Sequence, residues 1–105
     1  MKVSERQLRQ ARFWKKLLRL TRGRVPVLRA FEIIIKEETD DEFRRVLSEI
    51  CCDLNNGATL SEALTKRGDI FSPSVLALVA AAEKTGAWDE VLQEIAEGLT
   101  EGTFD

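Results

Sequence analysis

Three carboxylates, Glu83, Asp89 and Glu90, flank Gly86 in a chain of 105 residues that contains no histidine. Carboxylates grouped around a turn can hold a hard cation such as calcium, above all where a second chain completes the ligand shell. Glu83 is the residue on which such a metal site would centre, and calcium is the one cofactor that the residue types suggest. The same side chains also have structural uses. Asp89 and Glu90 suit the positive first turn of a helix, and Glu83 can hydrogen-bond within a helical bundle. The lack of histidine removes Ser-His and Cys-His nucleophile pairs and the usual zinc sites. Cys51 and Cys52 are adjacent, which disfavours a bridge between them, and two thiolates cannot complete a tetrahedral metal site. Cys51 reads instead as a small buried hydrophobe. No Gly-rich phosphate loop and no activated nucleophile stands out, so the expectation is a domain without catalytic activity.

Charge is the second chemical feature. The net charge is only −2, but nine of the sixteen basic groups and just one acid fall in residues 1–24. That segment carries +8, and the remaining 81 residues carry −10. Arg9, Arg12, Lys15, Lys16, Arg19 and Arg22 recur at helical spacing, opposite a face formed by Ala11, Phe13, Trp14, Leu17 and Leu18. These six cations, with Glu83 and Asp89, are the candidate partner-binding residues. A one-sided basic helix can simply be a solvated face. It can also dock on an acidic protein or an anionic membrane surface, where each cation contributes on the order of 1 kcal/mol. Nucleic-acid binding is the least supported use, because the chain is acidic overall and has no evident recognition helix.

The elements that position these residues all read as helices. Ser4 with Gln7 fits a capping box at the start of the first, and Gly23 would close it in the left-handed conformation. Val25-Pro26 opens a second helix with proline in its first turn, and Val27, Leu28, Phe31, Ile34 and Ile35 form its apolar stripe. Glu37, Glu38, Asp40, Asp41 and Glu42 span the turn into a third helix, in which Phe43, Val46, Leu47, Ile50, Cys51 and Leu54 face inward. Asn55-Asn56-Gly57 ends that helix. Thr59 with Glu62 starts a short fourth helix that Gly68 terminates. Ser72-Pro73 caps a fifth, apolar on every side from Val75 to Ala82, as expected of a helix in the middle of a bundle. Gly86 stops it, and Asp89 begins the last, with Val91, Leu92, Ile95, Ala96 and Leu99 inward. Residues 101–105 read as a frayed tail. The expected architecture is therefore one all-α domain, a compact six-helix bundle, with Phe31, Leu47, Leu64, Leu78 and Leu92 in its core. No apolar run approaches the ~20 residues that cross a bilayer, and no signal peptide opens the chain.

Several short motifs add to this reading. They are Val25-Pro26-Val27-Leu28, then Ala30 and Glu32, then Gly57-Ala58-Thr59-Leu60-Ser61-Glu62-Ala63-Leu64. Phe71 and Pro73 follow, and last the turn with Glu83, Thr85 and Gly86. In order and spacing they resemble one copy of the cytoplasmic domain of type II secretion system protein F and its type IV pilus relatives, over residues 13–99. The sequence departs from the family pattern in three places. Arg24 stands where glycine usually precedes Val-Pro, Ala82 replaces the glycine before Glu83, and Trp88 occupies a leucine position. The resemblance implies an assembly-platform domain that works by protein–protein contact and is not an enzyme. Its implied partners are the motor ATPase of the machine or another platform copy, including a homodimer. It also implies a cytoplasmic location at the inner face of the cytoplasmic membrane. Family members usually carry two such copies and three membrane helices. Met1 and the polar end favour a free-standing relative over an excised copy. The alternative reading is a nucleic-acid or membrane-surface binding module acting through the basic first helix.

Overall fold

Ser4 begins the regular structure. Its hydroxyl accepts the Gln7 backbone N–H at 3.1 Å while the Gln7 side chain accepts the Ser4 N–H at 3.2 Å. This capping box opens helix α1 (Glu5–Arg22) in the computed structural model, which describes residues 4–104. Lys2 of the basic segment and Asp105 of the expected tail lie outside the described residues. Five more helices follow: α2 (Val27–Glu37), α3 (Asp41–Asn55), α4 (Leu60–Thr65), α5 (Pro73–Thr85) and α6 (Trp88–Glu101). Three of these starts carry side-chain caps, whereas α6 opens at Trp88 after an uncapped Ala87, one residue before the expected Asp89. Asp40 caps α3, Thr59 with Glu62 makes the second capping box, and Ser72 caps α5 with Pro73 in the first turn.

Helix α1 is the axle of the bundle. Phe13, Trp14 and Leu17 are 0–2% exposed, and Phe13 lies edge-on to Trp14, Phe31 and Phe43, with ring centroids 4.9, 5.5 and 6.1 Å apart. Trp14 reaches Phe71, at 6.4 Å, in the turn before α5. One aromatic cluster thus joins α1, α2, α3 and the α4–α5 connection, and each such pair adds ~0.5–1.5 kcal/mol beyond area burial. The buried Gln10 side chain donates to the Ile70 carbonyl at 2.9 Å and holds that connection against α1. Helix α6 runs antiparallel along α1, so that Leu17 and Thr21 share a groove with Leu92 and Trp88. Its Val91, Leu92, Ile95, Ala96 and Leu99 are buried, as the spacing predicted.

Several expectations need correction. Helix α5 lies at the edge, against α4 and α6, with Ala77 and Ala81 exposed. Only Val75, Val79 and Ala82 of this helix are buried, and Leu78 is half-buried. A run rich in alanine tolerates water because alanine offers little apolar area, so an all-apolar helix need not be central. On α2, Val27 and Leu28 are 45% and 37% exposed and Ile35 is half-buried, while Ala30, Phe31 and Ile34 carry the contact. Pro26 sits at the N-cap of α2 rather than inside its first turn. Helix α4 ends at Thr65, and a turn in which Arg67 N–H donates to Leu64 carries the chain past Gly68. The tail is not frayed through Phe104. Gly102 takes φ +75°, Thr103 N–H donates to Gly98 at 2.9 Å, and the Phe104 ring covers Gly98. Any Cβ on Gly98 would meet that ring at 2.5 Å.

The end of α1 is the clearest departure. Gly23 has an ordinary φ of −80°, and Arg24 takes the left-handed conformation at +67°. Val25 N–H donates to Leu20 and Arg24 N–H to Thr21, so this is a Schellman cap whose left-handed position holds arginine. A side chain there costs ~1–2 kcal/mol, partly offset because arginine has less backbone entropy to lose on folding than glycine. Arg24→Gly is therefore expected to stabilise the fold by about 1 kcal/mol, raising Tm by roughly 5 °C. An unchanged or lower Tm in thermal unfolding followed by circular dichroism would contradict this.

Candidate functional site

The six candidate cations do not form one continuous face. Arg9 lies 3.6 Å from Asp40, and Lys16 lies 3.3 Å from Glu37. Arg9 reaches sideways to the α2–α3 connection and Lys16 to the last residue of α2, so the acidic cluster there is partly neutralised. On the opposite flank Arg22 lies 3.7 Å from Asp89 and donates to Gln93 at 3.0 Å, pinning the end of α1 to the start of α6. Arg12, Lys15 and Arg19 are left along the crest, all exposed and with no ion pair among the described residues. Exposed Leu8 continues the same line at its N-terminal end. Three of the six cations therefore brace the fold, and three face outward.

Glu83 is engaged inside the molecule. Its two carboxylate oxygens accept the Ser61 backbone N–H at 2.9 Å and the Ser61 hydroxyl at 2.6 Å. The end of α5 is thus clamped onto the first turn of α4, where a negative charge also meets the positive helix terminus. The neighbouring Glu62 closes the capping box by accepting the Thr59 N–H at 2.8 Å. That backbone hydrogen bond is the main reason its carboxyl titrates below the ordinary value, with the Thr59 hydroxyl second. Asp89 is committed to Arg22, and Glu90 is exposed. Among the described residues no three His, Cys, Asp or Glu side chains gather as a metal centre requires. Cys51 is buried, and burial, then the charge of Glu32, pushes its thiol pKa up, away from nucleophilic character.

Beside this clamp lies a groove of about 620 Å³, walled by Leu17, Leu54, Leu60, Trp88 and Leu92, with the exposed Val27 at its edge. Sequence reasoning missed it because its walls come from all six helices and from the α3–α4 connection. Only Trp88 in place of leucine hinted at it. The groove is chemically suited to holding apolar side chains. Its carboxylates are committed, Glu83 to Ser61 and Asp89 to Arg22.

Most of this chain matches known proteins. The family described as Type II secretion system (T2SS), protein F matches residues 13–102. The chain belongs to the type II secretion system protein F family. It is 33% identical to a type II secretion system protein F of Xanthomonas campestris over 87 residues, 83% of this chain and 22% of that protein. It is 32% identical to the type IV pilus assembly protein PilC of Thermus thermophilus over 87 residues, covering 83% and 21% of the two chains. For PilC of Pseudomonas aeruginosa the figures are 28% over 86 residues, 82% and 23%. The chain thus spans less than a quarter of the length of these relatives. No helix among the described residues is long and apolar enough to cross a membrane. In this chain the Leu60–Leu64 stretch and the later Glu83 are two halves of one clamp.

Two measurements follow. Ser61→Ala and Glu83→Gln are each expected to cost about 1–3 kcal/mol by urea unfolding, and the double variant clearly less than their sum. Additive losses would mean that the clamp carries no coupling. Glu62 has a lowered folded-state pKa, so its contribution is complete above the unfolded carboxylate value and vanishes as pH falls through the folded one. The Tm gap between the natural protein and Glu62→Gln should therefore be present at neutral pH and close in acid. A gap that stays constant with pH would exclude this.

Proposed function

We propose that this domain is a non-enzymatic contact module of a secretion or pilus assembly platform. Its membership in a family whose relatives are named for secretion and pilus assembly carries the reading. The distribution of chemistry supports it. The Glu83 and Asp89 carboxylates are committed to structural bonds, while the surface offers an apolar groove and a crest of three outward cations. Those are means of holding another protein, with apolar area supplying affinity and charge supplying orientation and encounter rate. The partners on this reading are components of the same machine, either its cytoplasmic motor ATPase or another platform copy. The domain would work at the cytoplasmic face of the inner membrane. Calcium at Glu83 would have to compete with Ser61 for both carboxylate oxygens.

The alternative, a nucleic-acid or membrane-surface module using α1, must draw on Arg12, Lys15 and Arg19 without the three cations already paired. The test is a crosslinked pull-down of the tagged protein from its native host, with and without nuclease. Secretion or pilus components are expected, unaffected by nuclease and reduced several-fold by Arg12→Glu, Lys15→Glu and Arg19→Glu together. Recovery only of nucleic-acid-associated proteins that disappear with nuclease would overturn the platform reading.

A further inference from the structure

The groove between Leu17, Leu60, Trp88 and Leu92 has an apolar body and polar groups of one kind. Its hydroxyl donors are spent inside the molecule. Thr21 donates to the Leu17 and Leu18 carbonyls at 2.9 and 3.1 Å, and Thr59 donates to the Glu62 carboxylate at 3.1 Å. The other two polar side chains, Glu83 and Asp89, are carboxylates, and no cation lines the groove. Asp89 is offset by Arg22, 3.7 Å away. Glu83 is not offset. It is half-buried, its two hydrogen bonds come from uncharged groups of Ser61, and it has no ion pair among the described residues. Each of its oxygens keeps a lone pair beyond the bond it accepts. The Trp88 indole N–H is the one side-chain donor left in the lining among the described residues. The groove is therefore an apolar cleft rich in acceptors, with one full negative charge on its wall.

We infer that this groove takes an amphipathic helix of a partner protein that brings one arginine or lysine to Glu83, which rests on the contact-module reading and gives the chemistry of one partner surface. A volume of about 620 Å³ lies within the ~300–1,000 Å³ of pockets that enclose apolar groups. A helix fills such a cleft by laying about three apolar side chains along it, spaced three and four residues apart. Val27 at the edge is 45% exposed, more than any other large hydrophobic residue described, and a partner lying in the groove would cover it. Trp88, partly buried on the wall, supplies the large rigid surface on which binding energy concentrates. The cation then meets a half-buried carboxylate, where a charge-assisted hydrogen bond is stronger than at an open surface. An anionic lipid, a nucleic-acid phosphate or an acidic peptide would bring acceptors to acceptors and a second negative charge to Glu83. The same complementarity separates the groove from the crest of α1, whose cations suit the opposite kind of partner.

The test is a titration of the full chain with two helical peptides, followed by amide NMR shifts and tryptophan emission. Each peptide has about 14 residues, ~20 Å as a helix, with leucine at three helically spaced positions. One carries arginine a turn beyond the last leucine, and the other carries glutamate there. Trp14 is wholly buried, so a change in emission reports Trp88. The arginine peptide should shift the Leu60, Trp88 and Leu92 amides and bind at least ~10-fold more tightly than the glutamate peptide. n-Octylammonium, an apolar chain with a cationic end, should shift the same amides at millimolar concentration, and octanoate should not. Glu83→Gln keeps an acceptor for Ser61 but removes the charge, so it should lose most of this preference. That variant also loosens the clamp, so Val27→Lys is the second. It puts a cation at an exposed edge position and should weaken the arginine peptide and strengthen the glutamate one, with helix content unchanged by circular dichroism. Equal binding of the two peptides overturns the assignment, as does a groove that neither peptide nor octylammonium perturbs. Groove shifts that appear on raising the protein concentration alone also overturn it, since they seat a second copy there. None of these results touches the platform reading, which stands or falls on the pull-down.

Discussion

The edge-on packing of Phe13 against Trp14, Phe31 and Phe43 is the contact on which the rest of the molecule depends. It makes α1 the element that α2, α3, α6 and the α4–α5 connection must all reach. A helix buried along one face by large aromatic rings has little freedom to rotate, because interiors pack at crystal density and a shifted ring meets a neighbour at once. The crest of Arg12, Lys15 and Arg19 is therefore aimed by the core. Their outward direction follows from where the two aromatic side chains must go.

Ion pairs then divide the remaining charge. Arg9 and Lys16 reach the α2–α3 connection and the end of α2 on one flank, and Arg22 reaches Asp89 on the other. At such exposure each pair contributes ~0.2–1 kcal/mol, too little to hold a helix but enough to settle which cations stay available. What looks in sequence like one broad basic face becomes a narrow crest between two braced flanks.

The clamp between Ser61 and Glu83 shows a similar economy. The short α4 has only six residues and would not persist alone, since a helix of that length cannot recover the cost of its first turn. It is held by its own capping box from Thr59 and Glu62, by buried Leu60, Ala63 and Leu64, and by a carboxylate arriving from α5. Glu83, twenty-two residues beyond Ser61 in the chain, accepts both its backbone N–H and its hydroxyl. The groove beside them exists because this end of the bundle is closed by a short helix and a tight turn rather than by a further long element.

Much of this was legible in the residues alone. The six helices, the capping boxes at Ser4 and Thr59, the caps at Asp40 and Ser72 and the burial of Phe13, Trp14, Leu47 and Ile95 follow from local rules that need only a few neighbouring positions. The family membership was readable for the same reason, as its motifs are short and ordered. What the tertiary structure decided concerns groups far apart in the chain. It set which cations of α1 are paired, that Glu83 serves Ser61, and that α5 lies at the edge. It also placed Phe104 over Gly98 and the left-handed conformation at Arg24 rather than Gly23. Periodicity specifies which side of a helix is apolar but not how many neighbours cover it, and a charge acquires its role only when packing brings a partner within reach.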